Sequence, residues 1–216
     1  MIRGVLFDMD GVLADSEHFI CGAAIEMFRG LGVIVSPEDF KPFTGMGENR
    51  YLGGVAEKYG VPVDIEIVKA KTYSIYGDMV RGNLLPLPGA QMFVDRCRTK
   101  EFRLALATSA DRIKMDINLR EIGLARETFS SIITGLDVVN KKPAPDIYLK
   151  AAESIGLKPR ECLVVEDAVS GVKAGKAAGC RCLAVTTSFS KEALKEAGAD
   201  WIVDSLADVP GEVLSW

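Results

Sequence analysis

The sequence predicts an α/β protein in which a doubly wound parallel sheet carries an inserted α-helical segment. Three observations predict it. Four short, unbroken apolar runs, Gly4–Phe7, Leu104–Ala107, Cys162–Val165 and Cys182–Val185, have the length and composition of strands covered on both faces. Helical patterns closed by glycine alternate with the later runs, as strand-helix-strand units require. Residues 16–85 break that alternation, containing helical patterns and no convincing strand.

Taken in order, Gly4-Val5-Leu6-Phe7 is a strand stopped by acids and Gly11. Within the insertion, Ser36-Pro37-Glu38-Asp39 supplies an N-cap, a first-turn proline and an acidic first turn, and a longer helix is expected from Asp64 to Arg81. Leu85-Pro86-Leu87-Pro88-Gly89 reads as a linker back to the sheet. Helices follow at Ile113 to Ile122, Ile147 to Ile155 and Val169 to Ala178, ended by Gly123, Gly156 and Gly179. Ser131 to Thr134 and Trp201 to Val203 are weaker strands. The expected division is a sheet domain of residues 1–15 and 86–216 and a helical domain of residues 16–85.

Composition narrows the function. With 26 basic against 30 acidic side chains the net charge is -4, which gives no electrostatic footprint for nucleic acid or an anionic membrane. No apolar run is long enough to span a bilayer. The five cysteines are odd in number and mostly sit in apolar stretches, which suits reduced thiols; Cys180 and Cys182 are expected to be packed rather than metal-binding. His18 is the only histidine, so a histidine metal cluster is excluded. Asp8 and Asp10 stand where a signal peptide needs its apolar heart, so no secretory signal is expected. A cytoplasmic location and a monomer are the accompanying expectations.

Ligands of an open parallel sheet bind outside the carboxyl ends of its strands. Here those ends carry Asp8-Met9-Asp10-Gly11, Thr108-Ser109 and Glu166-Asp167, with Lys142 in the loop after the third strand. Alone, each piece has an ordinary explanation in a turn, a cap or a solvated loop. Together they place four carboxylates, a hydroxyl and an ammonium in one crevice. Such a cluster needs a hard cation, and Mg2+ fits, since it takes a few carboxylates and keeps positions for water and phosphate oxygen. Lys142 and the hydroxyl are then suited to hold an anionic group, and a phosphate monoester meets that description. One aspartate can attack phosphorus while another protonates the leaving alkoxide and later deprotonates water.

These motifs resemble the haloacid dehalogenase (HAD) superfamily, and within it the helical-cap branch of beta-phosphoglucomutases and CbbY-like phosphatases. The matching segments are Asp8-Met9-Asp10-Gly11-Val12, Leu106-Ala107-Thr108-Ser109, Lys142-Pro143-Ala144-Pro145-Asp146, and Val165-Glu166-Asp167 with Ser170-Gly171-Val172. The resemblance implies a Rossmann-like core with a cap at residues 16–85, and Mg2+-dependent hydrolysis of a small phosphorylated metabolite through an aspartyl-phosphate. It implies Asp8 as nucleophile and metal ligand, and Asp10 as acid/base and as metal ligand through its main-chain carbonyl. Thr108 and Lys142 would bind the phosphoryl group, helped by Ser109. Asp167 would ligate the metal, with Glu166 reaching it directly or through water. In the cap loop Thr44-Gly45-Met46-Gly47-Glu48-Asn49-Arg50, Gly45 and Arg50 are candidate substrate contacts, though Arg50 also suits a solvated helix face. That loop departs from the mutase pattern, and Ile20 stands where mutases carry a histidine, so hydrolysis is favoured over a phosphosugar mutase. A non-catalytic domain that binds phosphorylated ligands is the alternative from another class. Ser109-Ala110-Asp111-Arg112-Ile113-Lys114 and Gly53-Gly54-Val55-Ala56 are similar to the HAD domain of a plant multidomain protein, which makes the chloroplast stroma the alternative compartment.

Overall fold

The computed structural model describes residues 1–215. The strands are β1 (Gly4–Phe7), β2 (Arg103–Ala107), β3 (Ser131–Ile133), β4 (Cys162–Glu166), β5 (Arg181–Val185) and β6 (Trp201–Val203). They form one parallel sheet in the order β3-β2-β1-β4-β5-β6. The doubly wound architecture expected from the sequence is the one found. The chain reverses its direction of winding beside β1, so a crevice opens between the loops that leave β1 and β4.

Side chains alternate across each strand. Val5, Phe7, Leu104, Leu106, Leu163 and Val165 enter one apolar cluster, whereas Leu6, Ala105, Ala107, Cys162 and Val164 enter the other. Both faces are therefore covered, which is why these strands read as continuous apolar runs. Cys180 and Cys182 are buried in the second cluster, and all five cysteines are free thiols.

Helices α1 (Glu17–Arg29), α2 (Pro37–Phe40), α3 (Glu48–Lys58) and α4 (Ile65–Val80) make up the insertion. Asp64 caps α4 by accepting from Glu66 N and Ile67 N, and Ser36 and Asp39 form a reciprocal capping box on α2. Met27, Phe28, Phe40, Leu52, Val55 and Val68 build a separate core among these helices. The insertion nonetheless shares the sheet's core through Ile20, Ala23, Tyr73, Tyr76 and Val80. The segments leading into and out of it are paired: Asp15 N donates to Leu85 O at 3.2 Å, and Leu87 N donates to Leu13 O at 3.0 Å.

The remaining helices are α5 (Ala90–Thr99), α6 (Arg112–Glu121), α7 (Asp146–Ser154), α8 (Val169–Ala178) and α9 (Lys191–Glu196). Among the described residues no helix is long and apolar enough to cross a membrane.

Candidate active site

Asp8 directly follows β1, and the pairing of Phe7 with Val165 brings it beside Glu166 at the end of β4. Carboxylate oxygens of Asp8, Glu166 and Asp167 all lie within 4.8 Å of one another, and all three residues are buried. Lys142, from the loop after β3, sits 2.6 Å from Asp8 Oδ1 and 2.6 Å from Glu166 Oε1. Tyr148 Oη donates to the same Glu166 oxygen at 2.7 Å, while the N–H groups of Asp167 and Ala168 donate to Glu166 Oε2. Asp167 Oδ2 accepts from the hydroxyls of Ser188 and Thr187.

Two motif glycines follow from this crowding. A Cβ at Gly11, whose φ is +73°, would stand 1.9 Å from Asp167 Oδ2, and one at Gly171 would stand 1.7 Å from Glu166 Oε1. The carboxylates thus occupy the volume that any larger residue would need.

Asp10 faces differently. Its carboxylate turns from the trio toward Lys114, 2.9 Å from Oδ2, while Oδ1 accepts from Asn118 Nδ2 at 3.0 Å and from the Ser16 hydroxyl. Lys114 also lies 3.3 Å from Glu48 Oε1, so one buried ammonium joins the end of β1 to the start of α3. Thr108, at the end of β2, is fully buried and its Oγ1 accepts from Ala110 N at 3.1 Å. Ser109 Oγ donates to Gly45 O at 3.2 Å, bringing the cap loop against the sheet edge. Arg50 is not brought to the site. It lies on the exposed face of α3, ion-paired with Glu57 at 2.8 Å and stacked over Phe43, which is the solvated helix position the sequence also allowed.

Burial dominates the electrostatics. It pushes the Asp8 carboxyl up to about 8, with Glu166 and Asp10 adding repulsion and Lys142 opposing it. Burial and then the charges of Glu166 and Asp8 hold Asp167 well above the usual range. Burial likewise raises Glu17 to about 7 and raises Glu48, with Lys114 opposing both shifts. Two of the three buried carboxylates, Asp8 and Glu166, share the one ammonium, while burial raises Asp8 and Asp167 above the usual carboxylate range. Such an all-oxygen set with uncompensated charge fits a hard divalent cation such as Mg2+.

A cleft with about 530 Å³ of empty space, counting its open mouth, runs from this floor to the helical insertion. Its floor includes Asp8, Lys142, Glu166 and Asp167, and its far wall includes Glu17, Ile20, Phe43, Glu48 and Tyr51. The sequence reading missed Lys114, Asn118, Glu17, Glu48, Tyr148 and Ser188. For Lys114 and Asn118 a signal existed, because their spacing of four puts both on one face of the helix that follows the Thr108-Ser109 strand end.

Residues 5–185 match the family described as Haloacid dehalogenase-like hydrolase. The chain belongs to this family. This HAD-like hydrolase is 43% identical over 211 residues to the protein SUPPRESSOR OF QUENCHING 1, chloroplastic, of Arabidopsis thaliana; the match covers 96% of the chain but only 20% of that relative. The HAD-like hydrolase is 31% identical to a phosphorylated carbohydrates phosphatase of Thermotoga maritima, covering 99% of this chain and 100% of the relative. Its fold superposes on the crystal structure of CbbY from Rhodobacter sphaeroides in complex with phosphate, with a TM-score of 0.86, 28% identity and 96% of each chain covered.

Proposed function

We propose that this HAD-like hydrolase is a Mg2+-dependent phosphatase of a small phosphorylated metabolite, a sugar phosphate or related monoester, acting through an aspartyl-phosphate. The observation that carries this is the buried trio of Asp8, Glu166 and Asp167 with Lys142 bridging two of its members. The names of the Thermotoga maritima relative and of the phosphate-bound CbbY structure support the substrate class.

Asp8, the Asp10 main-chain carbonyl, Glu166 and Asp167 would hold Mg2+, which when bound supplies the positive charge that lets an anionic nucleophile approach an anionic phosphate. A carboxylate oxygen of Asp8 attacks phosphorus, and the bond from phosphorus to the ester oxygen breaks. Asp10, once its carboxyl turns from Lys114 toward the floor of the cleft, gives a proton to the departing alkoxide, then takes one from water, which attacks the acyl phosphate and releases inorganic phosphate and free Asp8. Lys142 orients Asp8 and offsets the charge of the phosphoryl oxygens, and Thr108 donates a hydrogen bond to them; Ser109 and Gly45 close the rim above them.

The test is incubation of the purified protein with Mg2+ and a panel of phosphorylated metabolites, following both free phosphate and isomerised sugar phosphates. The expected result is phosphate release that Asp8→Asn lowers by at least about a thousandfold. Isomers formed without net phosphate release identify a mutase. Tight ligand binding without turnover identifies a non-catalytic binding domain.

A further inference from the structure

At the far wall of the cleft, Glu48 opens α3 and is 7% exposed. Its Oε1 faces Lys114 at 3.3 Å, whereas its Oε2 is buried without any hydrogen-bond partner. A buried carboxylate oxygen left unpaired is costly, and a ligand hydroxyl donating into it removes the cost. The two cations lining the cleft, Lys114 and Lys142, are each already shared between two carboxylates: Asp10 and Glu48 for one, Asp8 and Glu166 for the other. Among the described residues no guanidinium lines it, and Arg50 is engaged with Glu57 outside.

We propose that Glu48, together with Lys114 and Glu17, forms a hydroxyl-reading subsite that accepts a neutral, polyhydroxylated leaving group and rejects substrates carrying a second phosphate. The proposal rests on the phosphatase reading and names its substrate class. With the reacting phosphate on the floor, the leaving group extends toward Glu17, Ile20, Phe43 and Glu48. A turn of the Glu48 carboxylate toward the cleft lets a hydroxyl there donate to Oε2, while Ile20 and Phe43 offer apolar surface to the carbon skeleton. A second phosphate in that place would instead face the ion-paired Glu48 carboxylate and the Glu17 carboxyl, with a lone ammonium already committed to Asp10 and Glu48. Like charges brought together in a partly dry cleft repel strongly, so discrimination comes from repulsion as well as from the hydroxyl contact.

The experiment measures kcat/KM with Mg2+ for matched monophosphates and bisphosphates of fructose and of ribulose, with phenyl phosphate as the reference ester. The wild-type protein is expected to favour the monophosphate of at least one pair by about tenfold or more. Glu48→Gln, which removes the charge but keeps the shape, should narrow that ratio at least about threefold. Glu48→Ala should lower the monophosphate value more than the phenyl phosphate value. Bisphosphates hydrolysed as well as monophosphates, a ratio that Glu48→Gln leaves unmoved, or turnover of phenyl phosphate alone overturns the subsite and spares the phosphatase reading. Failure to hydrolyse any of these esters overturns the phosphatase reading itself, and the subsite with it. The wild-type comparison holds even if a variant folds poorly.

Discussion

Asp8 holds its proton up to about 8 in the folded protein, while a carboxyl in an unfolded chain releases it near about 4. Between these values the folded state binds more protons, so the metal-free protein loses stability as pH rises through that window. On the proposed function, Mg2+ would compete with the same proton. The gain in Tm on adding Mg2+ should therefore grow from about pH 5 to about pH 8, as thermal melts with Mg2+ or with a chelator would show; a gain independent of pH would contradict this. At this scale the sequence was partly legible. Asp8, Glu166 and Asp167 announced themselves because they stand at strand ends, where acids interrupt apolar runs, and Lys142 because it lies in the loop after β3 within a Lys-Lys-Pro motif. Lys114 and Glu48 did not, because a charge inside an ordinary amphipathic helix looks like solvated surface until packing shows it buried.

Among elements, the strands were readable where both faces are covered, because burial on two sides leaves no polar position to confuse the pattern. α5 passed unnoticed for the opposite reason: Asp95, Arg96, Arg98 and Lys100 crowd its buried Phe93, Val94 and Cys97. In the insertion, Phe28 is fully buried against Phe40, with ring centroids 6.1 Å apart. Phe28→Ala should cost about 3–5 kcal/mol, measured by denaturant unfolding, because α1 and α2 cannot close over the cavity left. A loss below about 1 kcal/mol would mean that the helices relax into the space.

For the whole molecule, alternation of strands and helices fixed the fold class, but not the strand order or the way the insertion docks. Both depend on contacts distant in sequence: the pairing of β1 with β4, and Tyr73, Tyr76 and Val80 of α4 entering the sheet's own core. That shared core makes the helices and the sheet energetically dependent on each other. Calorimetry and tyrosine fluorescence are expected to show one coincident unfolding transition, and two separated transitions would count against the shared core.

The bonded segments at Leu13–Asp15 and Leu85–Leu87 fasten both ends of the helical excursion to one spot on the sheet's rim. Changes in that excursion that spare the residues it lends to the sheet's core can therefore leave the alignment of the strands undisturbed. On the proposed function, side chains of the excursion that face the cleft can set selectivity for the departing alcohol while the strand-end residues stay as they are.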